Sequence, residues 1–267
     1  MNHPAFRGAP GARHRRLLVR GDVQLDVIVE GAGPSIVLLP SLGRDSEDYD
    51  IVAAGLAGHG FSVLRPQPRG LGRSHGPMLD LTLRDYADDI AFVIAELSPG
   101  PAVIVGHAFG NWVARMTASM HPKQVRGVVI AAAAAKRYPA QLTASIQRIV
   151  DPTVGDAERL QHLQSTFFAP GNDATVWLTG WHEYVRDSQF AAHKATPQGD
   201  WWAAGDVPLL DLQAADDPFK PADKRDELRD ELGPRVSIAC IERASHALIP
   251  EQPERVVEEV VRWVRTL

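Results

Sequence analysis

Disulfides are excluded first. A single cysteine, Cys240, in 267 residues leaves no partner for an intrachain cross-link, so the fold must rest on packing, as suits a reducing cytoplasm. Positive charge is also scarce: 28 Lys and Arg against 33 Asp and Glu give a net charge of −5, without the basic footprint of a general nucleic-acid binder. No window approaches the run of about 18 apolar residues that a membrane span needs. Arg7, Arg13, Arg15 and Arg16 crowd the start of the chain, but no apolar stretch of signal-peptide length follows them. The expectation is a flexible N-terminal tail over 1–16 on a soluble, cytoplasmic protein. Glycine-rich phosphate loops, a nicotinamide fingerprint and zinc-ligand spacing are all missing, so no cofactor and no metal are expected.

What is present is enough for a large core. The chain is 45% hydrophobic and 23% charged, which allows one large domain or a core carrying an insertion. Val23, Leu25, Val27 and Val29 alternate with Gln24, Asp26 and Glu30, the pattern of a half-buried strand. The runs 35–40, 61–65, 102–105 and 127–131 are continuously apolar, as expected of parallel strands covered on both faces. Between them, Thr82 to Asp85 has capping-box spacing ahead of a helical stripe ending at Leu97, and Asn111 to Met120 reads as a helix stopped near Pro122. Residues 136–206 change character, with helical pieces rich in Phe and Trp. Strand and helix then resume at 207–213, 224–232 and 236–241, and Pro253 opens a last helix. The prediction is an α/β fold: a mostly parallel sheet flanked by helices, with core parts 17–135 and 207–267 separated by a helical cap at 136–206.

Gly106-His-Ala-Phe-Gly110 stands between a buried strand and a helix. Upstream lie Leu39-Pro-Ser-Leu-Gly43 and Arg65-Pro-Gln-Pro-Arg-Gly-Leu-Gly-Arg-Ser74. Downstream lie Ala214-Ala-Asp-Asp-Pro-Phe-Lys-Pro221 and Ala244-Ser-His-Ala-Leu-Ile-Pro-Glu-Gln-Pro-Glu254. In this order and register the five segments resemble the α/β-hydrolase superfamily, over roughly 20–267 apart from the cap. Within it the chain is similar to a bacterial subgroup with alanine at the nucleophile elbow. The usual elbow is Gly-x-Ser-x-Gly; here the central residue is Ala108.

The resemblance implies that His246 is the catalytic base, with Asp217 as its orienting acid and Asp216 as the alternative. It places the oxyanion-hole amides at Leu42 and Phe109. Ser41, Arg44, His107, Trp177 and Trp181 are the candidate substrate-binding residues, Trp177 and Trp181 sharing a face if they lie on one helix. Four of the six tryptophans fall in the cap, pointing to a small apolar or aromatic ester- or lactone-type substrate. An alanine methyl cannot attack a carbonyl, so no acyl-enzyme forms at 108. Three readings stay open: a natural enzyme whose His246–Asp217 dyad acts directly on water, or on substrate as a lyase or cofactor-free oxygenase; an engineered Ser→Ala form of a serine hydrolase; and a non-catalytic small-molecule binding protein. A homodimer through the cap or the last helix is also open.

Overall fold

The computed structural model describes residues 11–267. Among these residues eight strands form one sheet: β1 (Gly11–Arg20), β2 (Val23–Gly31), β3 (Ser35–Leu39), β4 (Ser62–Pro66), β5 (Ala102–His107), β6 (Val125–Ala131), β7 (Leu209–Ala214) and β8 (Val236–Ile241). Their order is β1-β2-β4-β3-β5-β6-β7-β8. Only β1–β2 and β2–β4 pair antiparallel; every later pair is parallel.

The continuous apolar runs behave as expected. Along β3, Ile36 and Leu38 enter one core while Val37 and Leu39 enter the other; along β5, Val103 and Val105 oppose Ala102 and Ile104. Successive side chains leave a strand on opposite faces, so a strand covered on both must be apolar throughout. Helices α1 (Asp50–Gly58), α2 (Leu83–Leu97) and α3 (Phe109–Met120) follow β3, β4 and β5. The α2 and α3 side chains join the core on one face, and those of α1 the core on the other. Thr82 and Asp85 form the capping box at the start of α2. Between β6 and β7 stand α4 (Ala140–Val150), α5 (Asp156–Thr166), α6 (Glu183–Ala195) and the short α7 (Gln198–Trp201). The short α8 (Glu227–Leu232), the single turn α9 (Leu248–Glu251) and α10 (Pro253–Val264) complete the chain. Among the described residues, no helix is long and apolar enough to cross a membrane.

Two expectations need correcting. Residues 11–16 are not tail but the first half of β1, joined to β2 by the two-residue turn Gly21-Asp22; residues 1–10, Arg7 included, lie outside the described residues. Two of the arginines that suggested a tail are engaged, Arg13 with Asp50 at 2.6 Å and Arg15 with Asp26 at 2.8 Å. Second, β2 is not half-exposed. It lies between β1 and β4, and both Asp26 and Glu30 are buried. Burial pushes the Asp26 carboxyl up, but hydrogen bonds from Arg73 and Arg15 outweigh it and hold the group below the usual carboxylate range. Glu30 is paired with the fully buried Arg65. Cys240, on the edge strand β8, is exposed.

Candidate active site

The sharp turn from β5 into α3 is made by Ala108, with φ 47° and ψ −111°, a region that costs a residue with a side chain about 1–3 kcal/mol. Its flanking glycines are steric necessities. A Cβ on Gly106 would lie 2.4 Å from the Gly110 carbonyl oxygen, and one on Gly110 would lie 2.6 Å from that of Leu39. The Asn111 side-chain amide donates back to the Ala108 carbonyl and braces the turn. As the first residue of α3, Phe109 has a backbone N–H with no helical acceptor. Neither it nor the Leu42 N–H has a hydrogen-bond acceptor among the described residues, and both residues face the same pocket.

His246 reaches that pocket from the loop between β8 and α9. Its Nδ1 lies 3.0 Å from Asp217 Oδ2, while the Phe219 N–H donates to Asp217 Oδ1 at 2.9 Å. A carboxylate only accepts, so Nδ1 carries a proton; in the neutral ring Nε2 then keeps its lone pair. The ring is fixed by Phe219, 4.1 Å between centroids, and by Phe167 at 5.3 Å edge-on. Asp216, the alternative acid, is exposed. Glu251 holds the loop itself, accepting the Ser245 N–H at 2.6 Å and, on its other oxygen, the Ala169 N–H and the Asn172 side-chain amide.

Beneath the elbow a buried strut joins the histidine loop to the 41–43 loop. His107 Nε2 lies 2.7 Å from the His246 carbonyl oxygen, His107 Nδ1 lies 2.8 Å from the Tyr49 hydroxyl, and that hydroxyl accepts the Ser41 N–H at 2.9 Å. The directions are forced: the carbonyl only accepts, so Nε2–H donates; Nδ1 therefore accepts, and Tyr49 O–H donates to it. The ring is neutral, and burial, reinforced by nearby His246, lowers its pKa from 6.5 to about 3. The unfolded state thus binds this proton first, and His107 withdraws stability as pH falls from about 6.5. Burial raises Asp48, Asp89 and Glu251 and works in the opposite sense, so the test is comparative. In urea unfolding between pH 7 and pH 4, His107→Gln is expected to remove about 3 kcal/mol of the acid-side loss; parallel pH profiles would refute the neutral, buried ring.

The pocket holds about 150 Å³ of space for water-sized molecules and is lined by Ser41, Leu42, Ala108, Phe109 and His246 together with Trp112, Tyr138, Phe167, Trp181, Phe190 and Phe219. Asp217 stands directly behind His246. Three predicted binding residues do not reach this space. Arg44 is buried, spent on Asp48 at 2.6 Å and the Thr179 carbonyl, with its guanidinium 4.8 Å from the ring centres of both Trp177 and Trp181. His107 belongs to the strut. Trp177 ends a 3-10 turn, is 1% exposed, and packs behind Trp181. The two tryptophans meet edge-on although they do not share a helix, because the Trp181 indole donates to the Trp177 carbonyl at 2.6 Å. Sequence reasoning missed Arg186, Asp187 and Phe190 of α6 and Tyr138, Thr143 and Gln147 near α4, all of which line the pocket. Only the aromatic enrichment of 136–206 hinted at them.

A family model described as the alpha/beta hydrolase family matches residues 36–259. The 2-(acetamidomethylene)succinate hydrolase of Mesorhizobium japonicum is 32% identical over 109 residues, 41% of this chain and 39% of that protein; the match thus spans about two fifths of the relative's length. Among solved structures, the fold is shared with a thermophilic esterase from Thermogutta terrifontis, TM-score 0.77 at 20% identity over 95% of this chain and 98% of that one. It is shared also with E-2-(acetamidomethylene)succinate hydrolase, TM-score 0.73 at 19% identity over 95% and 100%.

Proposed function

The chain belongs to the alpha/beta hydrolase family, and from that premise we propose that it is an enzyme hydrolysing a small apolar or aromatic ester or lactone without a covalent intermediate. The observation that carries this reading is the buried His246–Asp217 pair, facing a pocket whose elbow residue cannot be a nucleophile. In the proposed reaction His246 Nε2 takes a proton from water as the water oxygen bonds to the substrate carbonyl carbon. Asp217 keeps Nδ1 protonated and stabilises the resulting imidazolium. The Leu42 and Phe109 amides receive the negative charge on the carbonyl oxygen. Collapse of the intermediate breaks the bond to the leaving oxygen, which regains its proton from His246. Ala108 contributes only space beside the carbonyl.

Residues 136–206 act as the cap. Their Trp181, Phe167 and Phe190, with Phe219 and Trp112 from the core, give the site its apolar walls. An apolar cavity of about 150 Å³ accommodates benzene, so a single-ring acyl or alcohol group fits. Hydrolysis is also the activity named for the similar 2-(acetamidomethylene)succinate hydrolase, met both in sequence and in structure.

The test compares the wild type with Ala108→Ser and His246→Ala on aromatic and short p-nitrophenyl esters and on lactones. The expected result is turnover without a burst by the wild type and its loss in His246→Ala. Ala108→Ser should introduce an acyl-enzyme burst. Turnover by the serine variant alone would overturn the proposal in favour of a hydrolase lacking its nucleophile. Tight binding of a ligand recovered unchanged would instead favour a binding protein.

A further inference from the structure

The 41–43 loop is held from two sides. The core side uses Tyr49, which accepts the Ser41 N–H. The other side is α6. The Gln189 side-chain carbonyl, buried, accepts the Gly43 N–H at 2.8 Å, and the His182 N–H just ahead of the helix donates to the Gly43 carbonyl at 3.0 Å. Leu42 lies between the two anchors. The approach of α6 is close enough to require glycine here: at φ +64°, a Cβ on Gly43 would stand 2.8 Å from that of Arg186. The same helix turns Arg186, Asp187 and Phe190 into the pocket. One element therefore both forms part of the pocket wall and fixes the loop.

We propose that Gln189 is a positioning residue: by gripping the Gly43 N–H it holds the Leu42 amide in its charge-accepting orientation, so that seating of α6 over the pocket and assembly of the oxyanion site are a single event. The catalytic half rests on the proposed role of Leu42; the grip itself does not. An α6 lifted from the core would open the pocket and release Gly43 together, leaving the Leu42 donor unaimed while water enters. Hydrolysis is thereby confined to the closed state, since a donor misplaced by a fraction of an ångström contributes little.

The experiment uses Gln189→Leu, which removes the acceptor, and Gln189→Glu, which keeps an acceptor oxygen in either protonation state. Amide exchange at Gly43, followed by NMR in the full-length protein, is expected to quicken at least tenfold in Gln189→Leu, on the order expected for loss of a protecting hydrogen bond, and to return near wild type in Gln189→Glu. With p-nitrophenyl esters, kcat should fall roughly 10- to 100-fold in Gln189→Leu, below the loss for deleting a donor outright, at nearly unchanged KM, and Gln189→Glu should rescue it. Unchanged Gly43 exchange in Gln189→Leu overturns the grip. Faster exchange with unchanged kcat overturns its catalytic role. If the wild type hydrolyses nothing, the functional reading and the catalytic half fail together, and the exchange measurement still decides the grip.

Discussion

Asp217→Asn is expected to lower ester turnover by about 10⁴-fold while leaving the protein folded, the size of loss seen when a triad aspartate becomes asparagine. Asp217 does two things at once: Oδ1 takes the Phe219 N–H and Oδ2 takes the proton on His246 Nδ1. Asparagine can keep the first bond only by presenting its NH₂ to the ring. Nδ1 must then accept, the proton moves to Nε2, and the ring has no lone pair facing the pocket. The fold is spared because the two side chains have the same shape and the Phe219 bond survives. Asp216→Asn is the control, since that side chain is exposed and its backbone N–H, not its carboxylate, ties it to Ala244. Steady-state kinetics on both variants, with circular dichroism to check folding, decide the matter. Equal losses, or a loss under tenfold for Asp217→Asn, would remove Asp217 from the proposed mechanism.

The parts legible in the sequence are those whose physics is local. Strands covered on both faces need continuous apolar runs, and β3 and β5 carry them. The elbow needs glycines where two backbones meet, and Gly106 and Gly110 stand there. Capping is local too, as at Thr82 and Asp85. Other features depended on partners far along the chain. Asp26 and Glu30 alternate with valines as residues of a wet face would, yet Arg15, Arg73 and Arg65 neutralise them in the interior. Arg44 follows the 41–43 loop directly and looks placed for a substrate. The structure instead gives it to Asp48, the Thr179 carbonyl and two tryptophans. Arg186 and Gln189, about 140 positions later, are what meet that loop and its pocket. An edge strand is equally hard to see, since β1 and β8 are exposed only because, among the described residues, nothing pairs beyond them.

The glycines of the elbow yield the largest expected effect on stability. A Cβ at Gly106 would sit 2.4 Å from the Gly110 carbonyl oxygen and 2.6 Å from the Asn111 Cα, and a Cβ at Gly110 would sit 2.6 and 2.7 Å from the carbonyl oxygens of Leu39 and Pro40. Every one of these neighbours is backbone. No rotamer change relieves the overlap, so α3 would have to move off β5 and off the backbone at Leu39 and Pro40. Overpacking of this kind costs typically 1–3 kcal/mol and more where nothing can yield; against a total stability of about 5–15 kcal/mol, Gly106→Ala and Gly110→Ala should each lose at least about 3 kcal/mol. Gly127 supplies the comparison. Its added Cβ would meet the ring edge of Trp263 at 2.8 Å and the end of Leu267 at 3.0 Å, with the nearest backbone atom, the Pro208 carbonyl oxygen, further off at 3.3 Å. Gly127→Ala should therefore cost less than either elbow variant in urea unfolding. If Gly106→Ala unfolds at the wild-type midpoint, the tight β5–α3 crossing described here is wrong, and with it the orientation of the Phe109 amide toward the pocket.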